Sequence, residues 1–180
     1  MQQIQLKDKK FNISISAEEI QKAVKAIANK INDDFKNSSA PVFVSILNGS
    51  FMFTADLLKL IESQCEITFL KLASYEGTGS SGNVKQLIGL NESLQGRNVI
   101  VLEDIVDTGI TLEQIIKEIT KFEPESIKVA TLLFKPEAYQ KKIGLDYIGM
   151  KIPNRFIVGY GLDYDGVGRN FPNIYALAGE

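Results

Sequence analysis

The chain contains no histidine and no tryptophan, and Cys65 is its single cysteine. The missing histidine excludes every Ser-His-Asp or Cys-His nucleophilic mechanism and every histidine-ligated zinc site. One cysteine cannot form a disulfide within the chain, which is typical of proteins from a reducing, intracellular compartment. Whatever chemistry the protein performs must therefore come from carboxylates, hydroxyls, lysine, arginine and the backbone.

The sequence also lacks a long apolar run and a strong charge of either sign. No segment is apolar for long enough to span a bilayer, and residues 1–16 contain no run of signal-peptide length. The formal net charge is −2 and the pI is near 5.4, so nothing indicates binding to nucleic acid or to an anionic membrane. We expect a cytoplasmic protein whose residues 1–180 form a single domain.

What the sequence does contain is an alternation of strand-like and helix-like segments. Ser16, followed three residues later by Glu19, forms a capping box ahead of apolar residues at helical spacing, which predicts an amphipathic helix. Further helices are predicted for 53–63 and 111–122. Apolar or alternating runs predict strands at 41–47, 65–74, 98–104, 125–135, 145–152 and 156–164. This order predicts an α/β fold with a mostly parallel central sheet flanked by helices.

One segment fits neither the strand-like nor the helix-like pattern. Residues 75–85, YEGTGSSGNVK, are rich in glycine, serine and threonine and have almost nothing to bury. Such a composition predicts a mobile loop or a loosely held hairpin arm.

The most informative stretch is NVIVLEDIVDTGITLEQIIKEI, residues 98–119. Glu103 and Asp104 follow a buried-type strand, and carboxylates there are unfavourable unless something binds them. The segment DTGIT then leads into a helix, where backbone N–H groups and the positive helix end favour a phosphate. A sugar phosphate would satisfy both features, with the carboxylates on the ribose hydroxyls. Simple helix capping, and the acidic pocket of a receiver-type signalling domain, are alternatives that these residues leave open.

The same stretch resembles the phosphoribosyl diphosphate (PRPP) motif of the type I phosphoribosyltransferases, in the form found in their hypoxanthine-guanine branch. Four further segments resemble that branch in the same order: LNGSFMFTADL, LASYEGTGSSGNVK, LLFK and IPNRFIVGYGLDYDGVGRNFPNI. Together they cover roughly residues 40–175. The resemblance implies the fold of that family, with a small hood formed by the chain-terminal segments and a mobile catalytic loop at about 74–85.

The resemblance also implies a reaction. N9 of hypoxanthine or guanine displaces pyrophosphate from C1 of PRPP, giving IMP or GMP, with Mg²⁺ as the cofactor. Asp107 would be the general base or acid at the purine N7. Glu103 and Asp104 would hold the ribose hydroxyls. The 5′-phosphate would be bound by the loop that consists of Thr108, Gly109, Ile110 and Thr111.

The remaining roles are implied in the same way. Lys135 would donate to the purine 6-oxo group, Phe156 would stack on the ring, and Ile157 would meet the base edge through its backbone. The residues implied at pyrophosphate are Asn48, Gly49, Ser74, Tyr75 and Arg169. Asp163 would serve both the purine pocket and the metal, with Glu103 and Asp104 as the other metal-side carboxylates. The family often has a cis peptide at the position of Leu47–Asn48.

The sequence departs from the family in a few places. Asn48 and Ile110 stand where lysine is frequent, and the segment DGVG before Arg169 is richer in glycine than usual. A regulatory protein that senses PRPP without catalysis is therefore an alternative function, although Asp107, Lys135 and the glycine-rich loop are all present. By resemblance the protein would be a homodimer or homotetramer.

Overall fold

The computed structural model describes residues 3–73, 85–88 and 93–179. In chain order the elements are β1 (Gln3–Leu6), β2 (Lys9–Ile15), α1 (Ala17–Phe35), β3 (Val42–Ile46), α2 (Phe51–Leu58), β4 (Glu66–Ala73), β5 (Lys85–Ile88), β6 (Asn98–Val106), α3 (Ile110–Thr120), β7 (Ser126–Phe134), β8 (Tyr147–Lys151), β9 (Ile157–Val158) and β10 (Ile174–Leu177). None of the three helices in this described part combines the length and the apolar character that crossing a bilayer requires.

The larger sheet has six strands in the order β5-β4-β3-β6-β7-β8. Strands β4, β3, β6, β7 and β8 run parallel, and β5 joins β4 antiparallel at one edge. The predicted α/β fold with a mostly parallel central sheet is confirmed. Because β6 lies between β3 and β7, the loops after these three strands meet at one edge of the sheet, where ligands of such sheets collect.

Each face of this sheet is covered by helices. On one face, α1 and α2 pack against alternate strand residues such as Phe43, Ile100 and Leu102. On the other face, α3 packs against the intervening residues, among them Val42 and Val99. The capping box predicted at the start of α1 is present, since the Ser16 hydroxyl accepts from the Glu19 N–H and the Glu19 carboxylate accepts from the Ser16 N–H.

A smaller antiparallel sheet, in the order β1-β2-β10-β9, forms the hood. It joins the N-terminal hairpin to the C-terminal strand and has a core of its own around Phe11, Val158 and Tyr175. The hood expected from the resemblance is therefore confirmed. Its strands β1, β2 and β10 were not predicted individually, because polar residues interrupt the apolar pattern of β1 and β2, and β10 is only four residues long.

Several predicted boundaries are wrong. The strand predicted at 156–164 is only Ile157–Val158, because the next three residues, Gly159, Tyr160 and Gly161, all have positive φ and turn the chain away. The helix predicted at 53–63 runs from Phe51 to Leu58 and ends in turns. Strand β6, predicted to end with Asp104, continues to Val106 by pairing with β7.

Candidate active site

Two neighbouring acids of β6 lie inside the protein, two residues short of the strand's end. Glu103 is buried, and Asp104 is partly buried and accepts a hydrogen bond from the Ile105 N–H at 2.9 Å. Burial raises the pKa of Asp104 to about 6. Burial, reinforced by the negative charge of Asp104, raises the pKa of Glu103 well above its usual value. Both carboxyl groups are poorly solvated, so a ligand that donates hydrogen bonds or carries positive charge would stabilise their ionised forms.

The loop after β6 forms a small cavity at the start of α3. Gly109 has a φ of 82° and is the N-cap residue of α3; a Cβ there would lie 2.5 Å from the Tyr139 ring. The Ile110 N–H points back to the Thr108 hydroxyl at 3.4 Å. The cavity has a volume of about 220 Å³ and is lined by Glu103, Ile105, Val106, Asp107, Thr108, Gly109, Thr111 and Leu112. The backbone N–H groups at the start of α3 make this cavity suitable for a phosphate.

A second cavity, of about 390 Å³, opens under the hood. It is lined by Gly49, Asp104, Ile105, Asp107, Lys135, Phe156, Ile157, Leu162, Asp163 and Arg169. The two cavities share Ile105 and Asp107. All the lining residues of this second cavity except Ile105 and Leu162 were predicted; these two aliphatic residues carry no chemical signature in the sequence that would have distinguished them.

An ion pair occupies the junction of the two cavities. The Lys135 ammonium lies 2.8 Å from Asp107 Oδ2; the side chain of Lys135 is 9% exposed and that of Asp107 43% exposed. Lys135 follows directly after β7, and its backbone N–H donates to the Val106 carbonyl. Parallel pairing of β6 and β7 thus brings together two residues that are 28 positions apart. Because an ammonium has three donors, Lys135 can hold Asp107 and still donate to a ligand.

A second ion pair lies in the hood segment. Arg169 contacts Asp163 Oδ1 at 2.6 Å, and both side chains are 28% exposed. Arg169 also donates to the Gly161 carbonyl at 2.6 Å, while Asp163 Oδ2 accepts from the Gly166 N–H at 2.7 Å. A guanidinium held in this way presents its fork geometry at the cavity wall.

Comparison with known proteins agrees with this geometry. A profile described as "Phosphoribosyl transferase domain" matches residues 16–165. The chain belongs to the phosphoribosyltransferase family. It is 42% identical over 170 residues to the hypoxanthine-guanine phosphoribosyltransferase of Staphylococcus epidermidis (strain ATCC 35984), covering 94% of each chain. It is 39% identical over 166 residues to that of Bacillus subtilis (strain 168), covering 92% of each.

Solved structures agree with the sequence relatives. A hypoxanthine-guanine phosphoribosyltransferase from Bacillus anthracis superposes with a TM-score of 0.85 at 38% identity, covering 92% of this chain and 96% of that one. A hypoxanthine phosphoribosyltransferase from Trypanosoma cruzi, in a ternary complex with its substrates, superposes with a TM-score of 0.86 at 36% identity, covering 96% and 97%. The similarity therefore extends over the catalytic fold and the hood.

In this phosphoribosyltransferase the turn after β3 forms one wall of the larger cavity. The Leu47–Asn48 peptide is cis, as expected from the resemblance. A Cβ at Gly49 would lie 1.7 Å from Asp104 Oδ2, so any side chain there would force the Asp104 carboxylate to move. The Asn48 side chain is exposed.

The opposite wall is aromatic. Phe156 is 40% exposed, and its ring packs edge-on against Tyr164 with the centroids 5.9 Å apart. Ile157 beside it is buried in β9. An exposed ring supported from behind provides a stacking surface at the mouth of the cavity. Ser74 and Tyr75, with the catalytic loop predicted at 74–85 except Lys85, lie outside the described residues.

Proposed function

We propose that this phosphoribosyltransferase acts in purine salvage, transferring the 5-phosphoribosyl group of PRPP to N9 of hypoxanthine or guanine and releasing pyrophosphate. The products are IMP and GMP. The observation that carries the proposal is the pair of cavities that meet at Asp107: one has a phosphate-type helix start, and the other has a buried lysine and an exposed aromatic ring. The relatives named above support the choice of purine.

The base would bind in the larger cavity. Phe156 stacks on the purine, and Lys135 donates to its 6-oxo group. Adenine has an amino group at that position, so it would leave the buried ammonium facing a donor, a mismatch that discriminates strongly. Asp107, held 2.8 Å from Lys135, then faces the purine N7 and exchanges a proton with it as N9 bonds to the sugar.

The ribose phosphate would bind in the smaller cavity and across the β6 acids. The loop from Thr108 to Thr111 and the start of α3 take the 5′-phosphate. Glu103 and Asp104 accept hydrogen bonds from the ribose hydroxyls, which offsets the cost of burying their charges. Positive charge develops on the ribose as pyrophosphate leaves, so catalysis rests on positioning and on these fixed negative groups.

Pyrophosphate would lie between Gly49 and Arg169, with Mg²⁺ beside it. The described residues contain no group of three or more metal-ligating side chains, so a metal cage made by the protein alone is not supported. Asp163 and Asp104, which line the same cavity, fit a magnesium ion held mainly by diphosphate oxygens and water, whereas Glu103 lines the other cavity. When bound there, magnesium neutralises charge on the leaving diphosphate.

The assay that tests the function is spectrophotometric. Hypoxanthine, guanine, xanthine and adenine are offered separately with PRPP and magnesium. We expect turnover of hypoxanthine and guanine but not of adenine. Tight PRPP binding without turnover of any base would instead indicate a PRPP sensor.

A pair of variants tests whether Lys135 selects for 6-oxo bases. Lys135→Met should lose the preference for 6-oxo bases. Lys128→Met, near the start of the strand that Lys135 follows and paired with Asp34, should keep it. Loss of the preference in both variants would refute the role of Lys135.

The setting of the enzyme is also part of the proposal. We place it in the cytoplasm as a homodimer or homotetramer; for a Trypanosoma cruzi relative, a role of the C-terminal region in the oligomeric state has been studied. Analytical ultracentrifugation of the purified protein measures the assembly directly, and a monomer would contradict it.

A further inference from the structure

The turn between β9 and the Asp163–Arg169 segment has an unusual backbone. Gly159, Tyr160 and Gly161 follow each other with φ values of 97°, 49° and 98°. Glycine adopts such values readily, but a tyrosine there is strained and persists only when its surroundings hold it. The Tyr160 side chain is 3% exposed, so the ring is fixed within the core.

This turn borders the part of the larger cavity, between Gly49 and Arg169, in which pyrophosphate would lie. A Cβ at Gly161 would be 2.0 Å from the Gly49 carbonyl oxygen, so the two backbones are in contact. On its other side, Gly161 is held twice by Arg169: its N–H donates to the Arg169 carbonyl at 2.9 Å, and its carbonyl accepts from the guanidinium at 2.6 Å. The turn therefore sets how far Arg169 stands from Gly49.

A side-chain hydrogen bond joins the turn to α2. The Tyr160 hydroxyl donates to Asp56 Oδ2 at 2.8 Å. Asp56 also accepts from Gln21 at 2.6 Å and pairs with Lys59 at 2.9 Å. These hydrogen bonds outweigh the effect of burial and lower the pKa of Asp56, whereas burial and the nearby carboxylate raise the pKa of Tyr160. The donor stays protonated and the acceptor stays charged, which makes this a strong hydrogen bond.

Helix α2 begins at Phe51, directly after the turn that contains Gly49. Asp56 is thus part of the element that carries one wall, and Tyr160 is part of the segment that carries the other. We propose that Tyr160 is a positioning residue that, through Asp56, sets the gap between Gly49 and Arg169 in which pyrophosphate is held. The inference rests on the proposed function, because it assigns the gap to the diphosphate of PRPP.

The test compares Tyr160→Phe with a matched control, Tyr147→Phe. Tyr147 is also 3% exposed and donates to an aspartate, Asp34, at 2.7 Å, but it lies on β8 away from both cavities. Calorimetry measures Kd for PRPP with magnesium and Kd for IMP, which lacks the diphosphate. We expect Tyr160→Phe to weaken PRPP binding about fivefold, a fraction of what one hydrogen bond to a charged group can contribute. IMP binding should stay within about twofold, and Tyr147→Phe should change neither Kd.

A second variant keeps the test decisive. Asp56→Asn should weaken PRPP binding in the same way, and adding Tyr160→Phe to it should cause little further loss, because both changes break one interaction. The inference is overturned if Tyr160→Phe leaves PRPP binding unchanged, or weakens PRPP and IMP equally, or adds fully to Asp56→Asn. These binding constants test the role of Tyr160 even if the enzyme turns over no base. Absence of turnover would refute the proposed function but not this inference.

Discussion

Replacing Asp104 with asparagine should stabilise the fold at neutral pH while weakening PRPP binding. The Asp104 carboxyl is packed against Gly49, and burial raises its pKa to about 6. An ionised carboxylate there is less favourable in the folded protein than in the unfolded chain, where it is solvated. An amide has no such penalty, but it cannot accept both ribose hydroxyls as a carboxylate does.

The size and direction of the effect follow from the shift. The pKa rises from 3.8 to about 6, which corresponds to about 3 kcal/mol. Because the pKa is raised in the folded state, the stability of the native protein falls as the pH climbs from about 4 to about 6 and then levels off. Removing this charge in Asp104→Asn should therefore raise the free energy of unfolding by about 1.5 kcal/mol at pH 5 and by about 3 kcal/mol at pH 8.

Urea unfolding at pH 5 and pH 8 measures this directly, with the free energy of unfolding taken from each curve. Asp33→Asn is the matched control, since Asp33 is exposed in the last turn of α1. Its effect should be within about 0.5 kcal/mol at both pH values. The reasoning fails if Asp104→Asn is no more stable than the native protein at pH 8, or if its gain is the same at pH 5.

Three further predictions concern single residues. Asp107→Asn should lower kcat by about 10²-fold or more and change the Kd for PRPP little, because it removes a proton acceptor and keeps the shape; equal losses in both would make Asp107 a binding residue. Gly49→Ala should weaken PRPP binding more than tenfold and lower Tm, because its Cβ would lie 1.7 Å from Asp104 Oδ2. The control Gly144→Ala should do neither, because no atom lies within 4 Å of the added Cβ. Cys65→Ser should keep full turnover, because burial raises the pKa of the thiol and leaves it unreactive; an inactive variant with native stability would contradict this.

The parts of the site that the sequence revealed are those made by consecutive residues. Glu103 to Thr111 form a strand, a turn and a helix start, so their chemistry is visible in one short stretch. The pairing of Lys135 with Asp107 depends on the register of two parallel strands and has no local signature. The contact of Tyr160 with Asp56 joins residues 104 positions apart, and it arises only once the hood is in place.

The strands of the hood were also not visible in the sequence, because their pairing partners lie far apart in the chain. Its strands pair the first residues of the chain with the last, for example Phe11 with Leu177. These strands are short: β1 alternates exposed and buried residues, and β10 is a buried run of only four residues, so each alone gives a weak pattern. The error at 156–164 has a related cause, since an apolar run reads as a strand even where positive φ values break it.

The strand order also has a consequence for how such an enzyme can change. The turn after β3 would meet pyrophosphate, the loop after β6 the sugar phosphate, and Lys135 after β7 the base. These three connections lie at a shared sheet edge, and in the proposed function Arg169 of the hood would complete the pyrophosphate side. In the proposed function, substitutions at Lys135 and Phe156 would alter which base is accepted while the turn after β3, the loop after β6 and Arg169 stay unchanged. If the roles are as proposed, selection for new bases would act on those few residues at the acceptor base and leave the PRPP side unchanged.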